Sequence, residues 1–306
     1  MGKDYVKQHV VSQGYLRHFG KKRNEKGTYD ICVYNKKSNK VLVNGTHNVG
    51  FKKNYYDVTT REDPKYWEKF FSQNIEQGYI GALDRVISKT MLVQTGKPVL
   101  DEKDREDIGK LVAFQAMRVP AFLDSLIIRG MGIGEEYWNW IQQNMKAQIP
   151  TQQMGKIEKI LLERDSIKDI ELDGLSDDKR LKKYAKVLCV RKWRILYNDS
   201  DIPFFTSDNP VLLYSVRHQT TGSRDNGFGR AETLVYYPIC SRIMLCFFPT
   251  WLNDGKDSSD ERLYMNNNDI RFVTEINLKQ VENSDQEVYC HPDYFDVFST
   301  FFAGKK

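Results

Sequence analysis

One stretch of this chain should form a buried helix and yet carries an arginine among its apolar side chains; no other feature narrows the possible folds as much. From Asp104, the residues Ile108, Leu111, Val112, Phe114, Met117 and Val119 make a helix apolar nearly all round, ending in a break or kink at Pro120. Ile108, Leu111, Gln115, Arg118 and Phe122 share one stripe of it, so an amide and a guanidinium point where their neighbours are apolar. An unpartnered buried charge would cost on the order of the whole margin of stability. Arg118 must therefore face a carboxylate, a cluster of carbonyls, or a pocket that admits an anion.

Glu76 is the obvious intramolecular candidate. It lies on a stripe with Tyr79, Ile80, Leu83 and Ile87, in a helix of about six turns that opens at Asp63-Pro64. If Glu76 and Arg118 pair only with each other they are scaffolding; bordering a cleft, they position a substrate or shift each other's pKa.

The rest of the chain divides by periodicity. Tyr29 to Tyr34 and Lys40 to Val43 flank the polar turn Asn35 to Asn39, which predicts an N-terminal hairpin. Gly130, Gly132 and Gly134 form a connector after the buried helix. Further helices are expected over Glu135 to Ile149 and Lys156 to Asp165, with another capped by Ser176 and beginning at Asp177. Beyond Arg191 the pattern turns to strands: Trp193 to Tyr197, Ile202 to Thr206, Val211 to Val216, Thr233 to Ile239 and Ile243 to Phe248. Gln219 to Arg230 and Asn253 to Asp260 read as surface loops, and Asn266 to Val281 as a returning helix. The expectation is one α+β domain over residues 1–306, with a helical middle, an antiparallel sheet in the C-terminal half and an N-terminal hairpin.

Composition rules out few chemistries, but it rules out some classes. A chain of 306 residues with 28% charged and 40% hydrophobic residues buries a core without staples. The five cysteines, Cys32, Cys189, Cys240, Cys246 and Cys290, are odd in number and lack Cys-x-x-Cys or zinc-like spacing, so they read as reduced thiols in a cytosol. Met1 to Val10 fits neither a signal peptide nor an anchor, and no run reaches the roughly 18 apolar residues of a spanning helix. No membrane partner and a cytoplasmic location are expected. There is no P-loop, His-Glu-x-x-His, Gly-x-Ser-x-Gly elbow or kinase set. Asp101-Glu102-Lys103 and Asp254-Gly255-Lys256 share a nuclease spelling without a credible strand beneath either.

Three further places carry polar chemistry. Thr206-Ser207-Asp208-Asn209-Pro210-Val211 is a dense polar turn between apolar strands. It is ordinary turn chemistry, or it holds Asp208 at a strand end as acid, base or metal ligand. His9 and Gln13 lie four residues apart in the first segment and face one side if that segment is helical; His9 suits proton transfer near neutrality. Lys179 to Arg194 holds eight cations, among them Lys182, Lys183, Lys186 and Arg191, and no acid, with Tyr184 and Trp193 interleaved. Such a strip suits a phosphate backbone, or is a solvated face compensated by the acidic patch Asp165 to Asp178.

These positions together resemble a bacterial family filed as a domain of unknown function, number 4238 in its series. The family's opening His-Tyr-Val-Pro-Gln-x-Tyr-Leu-x-x-Phe is matched by His9 to Phe19, with Val10 for the Tyr and Ser12 for the Pro. Its Gln-x-x-Arg-x-Pro is matched by Gln115, Arg118 and Pro120. Its Thr-Ser-Asp-Asn-Pro-Val stands unchanged as Thr206 to Val211, followed by a Pro-containing strand at Tyr237-Pro238. The resemblance implies no established activity, but it joins the places already singled out and suggests a site.

The leading expectation is a phosphodiester hydrolase, a nuclease acting on RNA or DNA, as a phage-defence or toxin effector. Arg118 and Gln115 would hold a phosphate, with Ser207 and Asn209 beside it. Glu76 and Asp208 would orient Arg118 or bind a divalent ion such as Mg²⁺, and His9 would move a proton. Lys182, Lys183, Lys186 and Arg191 would guide the polymer. The alternative is a non-catalytic nucleic-acid- or protein-binding regulatory module with a buried polar network; a nucleotide or other small-molecule pocket around Arg118 is a third.

Overall fold

The chain is described by a computed structural model over residues 7–25, 27–144, 151–222, 226–249, 251 and 260–303. Asp254-Gly255-Lys256, most of the 253–260 loop, the end of the helix expected to reach Ile149, and Met1 to Val6 lie outside the described residues.

Up to Lys53 the chain is mostly short strands. β1 (Lys7–His9) leads through the Ser12 cap into α1 (Gln13–Arg17); β2 (Lys21–Lys22), β3 (Tyr29–Asn35), β4 (Lys40–Gly45) and β5 (Phe51–Lys53) follow. β3 and β4 form the expected hairpin, with Tyr34 opposite Val41 and Asn39 in the left-handed region at its turn. β1 pairs with β5, His9 opposite Phe51.

The middle is helical. α2 (Tyr66–Phe70), a π-helical stretch Phe71–Glu76 and α3 (Gln77–Leu92) replace the single helix expected from Asp63. The wider turn rotates the residues beyond it, as such bulges do, and brings Glu76 to Arg118. α4 (Glu102–Arg118) opens on a capping box between Asp101 and Asp104 and stops at Val119, because Pro120 starts α5 (Pro120–Gly130) at the helical position that needs no N–H. α6 (Glu135–Asn144), α7 (Thr151–Ser176) and α8 (Asp178–Cys189) complete this part. α7 takes in the acidic patch as far as Ser176, and the cap before α8 is Asp177, which accepts from the Lys179 N–H, instead of Ser176.

The C-terminal half is a mainly antiparallel sheet. β6 (Lys192–Asn198), β7 (Thr206–Ser207), β8 (Leu212–Ser215), β9 (Thr233–Cys240), β10 (Ile243–Phe248) and β11 (Glu261–Met265) are followed by α9 (Ile270–Asn283), β12 (Glu287–Cys290) and α10 (Phe295–Ala303). One sheet runs β11-β6-β10-β9-β8, antiparallel except for β11 on β6. The other joins β2, β3, β12 and β7, with β4 on β3, so C-terminal strands complete the N-terminal hairpin. The fold class is α+β, as the periodicity indicates.

The strand expected over Ile202 to Thr206 shrinks to Thr206-Ser207, for a local reason. Pro203 has no N–H, the Phe205 N–H donates to Asn277 Oδ1, and Asn277 Nδ2 donates to the Pro203 carbonyl, so a side chain takes the ladder's place. β11, β12 and α10 were not legible in the pattern, being short or strongly aromatic.

One apolar cluster runs from Val10 and Tyr15 through Phe71, Ile108 and Phe114 to Val235, Tyr237 and Tyr289, uniting all three regions. No single described helix is long and apolar enough to cross a membrane. α4 and α5 pass that test only as a pair bent by 63°, and both contribute to this core.

Candidate functional site

α4 delivers Arg118 to the interior as its stripe requires: the residue is 1% exposed. Nη1 donates to Glu76 Oε1 at 2.6 Å, Nε to the Tyr56 hydroxyl at 3.1 Å and Nη2 to the His9 carbonyl. The guanidinium also lies over the Phe114 ring, 4.9 Å from its centroid. Burial works against the charge, but Tyr56 and Glu76 outweigh it and raise the Arg118 pKa. Of the partners expected for this arginine it takes the carboxylate, and it adds one carbonyl and an aromatic hydroxyl.

Gln115, one turn earlier, donates from Nε2 to the Val10 carbonyl at 3.0 Å. The amide and the guanidinium thus hold successive carbonyls, Val10 and His9, of the first strand and its exit. His9 ends a strand and Gln13 begins α1, so they do not share a helix, yet their side chains meet at 3.2 Å. Burial first, then Arg118, Lys7 and His47, lower the His9 pKa to about 4, so the ring is neutral at pH 7.

Glu68 belongs to this cluster and was not found from sequence. Its carboxylate faces the His9 N–H; burial raises its pKa to about 7 against the pull of Arg118, and Oε2 has no hydrogen-bond partner. Its position on the apolar face of a short helix was the available signal.

The hydrogen bonds of Asp208 go elsewhere. Its Oδ1 accepts the Asp285 N–H at 2.8 Å, and its Oδ2 accepts those of Gln286 and Glu287 at 2.7 and 3.0 Å. Burial pushes its pKa up to about 6 in spite of these three donors. Ser207 Oγ accepts from Gln280 Nε2 at 2.6 Å and from the Asn209 N–H at 3.1 Å, and Asn209 Nδ2 donates to the Asn283 carbonyl at 3.0 Å. The Thr-Ser-Asp-Asn stretch therefore ties the turn before β8 to the end of α9 and the start of β12.

The expected convergence of four ionisable groups is corrected accordingly. Glu76 and Arg118 meet, His9 joins them through its backbone carbonyl and Arg118 is sealed from solvent, while Asp208 is bound to a different backbone segment. Among the described residues no group of three or more His, Cys, Asp or Glu is arranged to hold a metal ion.

The cation strip is corrected too. Arg191 is 6% exposed and donates to the carbonyls of Phe228, Arg230 and Thr233, so it cannot guide a polymer. Arg194 is also buried. Lys182, Lys183 and Lys186 stay exposed, but Lys182 pairs with Asp178 at 2.8 Å and Arg180 with Glu171 at 3.1 Å. The acidic patch compensates part of the strip.

The three sequence signatures do interlock. The Tyr15 hydroxyl donates to the Pro238 carbonyl at 2.5 Å and lies 2.7 Å from Thr206 Oγ1, with its ring stacked on Tyr237. Val10, Pro120 and Asp208, one residue from each signature region, line a polar cavity of about 370 Å³ with Lys52 and Glu287. Met117, Val119, Asn209 and Val211 line a second, mostly apolar cleft of about 500 Å³ on α8 and β8.

These observations define an α+β protein whose signature residues brace two cavities from within. The chain matches the family described as "Protein of unknown function (DUF4238)" over residues 7–294, and it belongs to that family. Comparison with curated proteins and with solved structures finds no match.

Proposed function

We propose that the chain is a non-catalytic binding and regulatory module, in which the signature residues are the frame of a recognition cleft and not the reacting groups of a nuclease. The observation that carries this reading is the commitment of their polar atoms. Arg118 is bound to Glu76, Tyr56 and the His9 carbonyl, Gln115 to Val10, and Asp208 to three backbone N–H groups. A phosphate grip needs donors turned toward the ligand, and an arginine at 1% exposure has none to offer without breaking a buried ion pair. Buried polar networks of this kind serve rigidity and a unique geometry, and the cavities they brace are of small-ligand size.

The test is direct. The purified chain incubated with labelled RNA and DNA, with and without Mg²⁺, is expected to leave both intact. Cleavage that disappears in a folded His9→Ala variant would restore the phosphodiester hydrolase in its place.

A further inference from the structure

We propose that the cleft of about 500 Å³ binds a small apolar amine, an aromatic or branched hydrocarbon body carrying an N–H donor and a positive charge. This rests on the recognition reading above and gives it a ligand class.

The walls set the body of the ligand. Ala116 and Phe122 on the helical side face Leu213 and Phe228 on the sheet side, and the volume lies within the range of about 300–1,000 Å³ typical of small-molecule sites.

The polar end is set by two asparagines of the lining that hold each other. Asn209 Nδ2 donates to the Asn283 carbonyl at 3.0 Å, and Asn283 Nδ2 donates to the carbonyls of Asn209 at 2.8 Å and Val211 at 3.3 Å. A carbonyl only accepts, so these bonds fix which amide atom is nitrogen and leave each Oδ1 as an acceptor. Among the described residues nothing donates to either oxygen. Two acceptors in an apolar-walled cleft lose hydration when a ligand enters, and only a donor recovers it.

Charge points the same way. Among the described residues of the lining, Glu282, exposed, is the only charged side chain, and none of them is Lys or Arg. A carboxylate or phosphate finds a like charge and unengaged amide oxygens among these lining residues; an ammonium group finds complementary groups in both. The wall at Phe228 is itself held in place, since Arg191 donates to its carbonyl at 3.0 and 2.6 Å.

Calorimetry on the full chain with three probes sharing one ring tests this: tryptamine, indole and indole-3-acetate. The expected order of affinity is tryptamine, then indole, then indole-3-acetate. Glu282→Gln should weaken tryptamine about two- to fivefold, the range of an exposed charge pair, and leave indole unchanged. Ala116→Phe, which fills the cleft, should weaken tryptamine at least tenfold; if that variant fails to fold, Val187→Phe fills it from α8. Tighter binding of indole-3-acetate than of tryptamine, tryptamine binding indifferent to both filling variants, or no tryptamine binding each overturns the ligand class. None of these results bears on the cleavage assay, whose failure would instead remove the non-catalytic reading.

Discussion

Arg118 and Arg191 are both buried, and their surroundings solve the same problem in opposite ways. Arg118 faces a carboxylate, an aromatic hydroxyl and one carbonyl, and its pKa is raised. Arg191 has no carboxylate partner among the described residues; it is held by the carbonyls of Phe228, Arg230 and Thr233, and burial lowers its pKa. A full opposite charge overcomes desolvation, whereas carbonyl dipoles only reduce it. The first arrangement ties the π-helical stretch before α3, α4 and β1 together across the core. The second fixes a loop at the edge of a cleft, where the backbone has few other partners.

The largest effect expected from this contrast is at Arg118. Arg118→Ala should lower the unfolding free energy by about 3–5 kcal/mol in denaturant titration, the loss associated with breaking a buried ion pair. A cost below about 1 kcal/mol would mean that the pair is not holding the core.

Arg191→Gln should cost less, about 1–3 kcal/mol, because the carbonyls it leaves are uncharged, and two of them belong to Phe228 and Arg230, which are not buried. Hydrogen exchange should quicken over residues 226–230 and stay unchanged in α4. A cost equal to that of Arg118→Ala would break the contrast.

Glu68→Gln sharpens it through pH. The folded-state pKa of Glu68 is raised from 4.5 to about 7, so the folded protein binds more protons in that window than the unfolded chain does, and this residue's contribution is lost as pH rises from about 4.5 to about 7. The variant should be more stable than the parent at pH 7.5, by about 2 kcal/mol, with the difference vanishing toward pH 4.5; melting temperatures across that range check it. His9 works in the opposite sense over about pH 4 to 6.5, since its folded-state pKa is lowered to about 4. Its contribution grows with pH there and is present in both proteins, so it cancels in the difference.

The smallest effect concerns the exposed cations. Replacing Lys182, Lys183 and Lys186 together by Gln should change stability by less than about 1 kcal/mol, as for surface pairs. Any salt-dependent retention of nucleic acid should fall with them. A cost as large as that of Arg191→Gln would show that exposed and buried cations are not separated as described.

Much of the frame was legible because its signals are local. The β3–β4 hairpin, the α4 stripe with Gln115 and Arg118 inside it, and β6, β9 and β10 follow from side-chain period and turn chemistry. The break in the Asp63 helix was not, since nothing in its spacing distinguishes a π-helical stretch from the α-turns around it. The strand at Ile202 failed because Asn277, more than seventy residues away, supplies the hydrogen bonds that a neighbouring strand would have supplied.

The candidate site divides in the same manner. Residue type and period required Arg118 to have a buried partner, and put Glu76 forward. Whether Asp208 would join them depended on where α9 and β12 pass, and they pass so that the N–H groups of 285–287 reach its carboxylate first. Burial of a charge is a property of one helix face and can be counted along the chain. The identity of what meets that charge, and the cleft left between the walls, depends on chain segments brought together across 42, 77 and 109 positions, a separation over which no periodicity carries information.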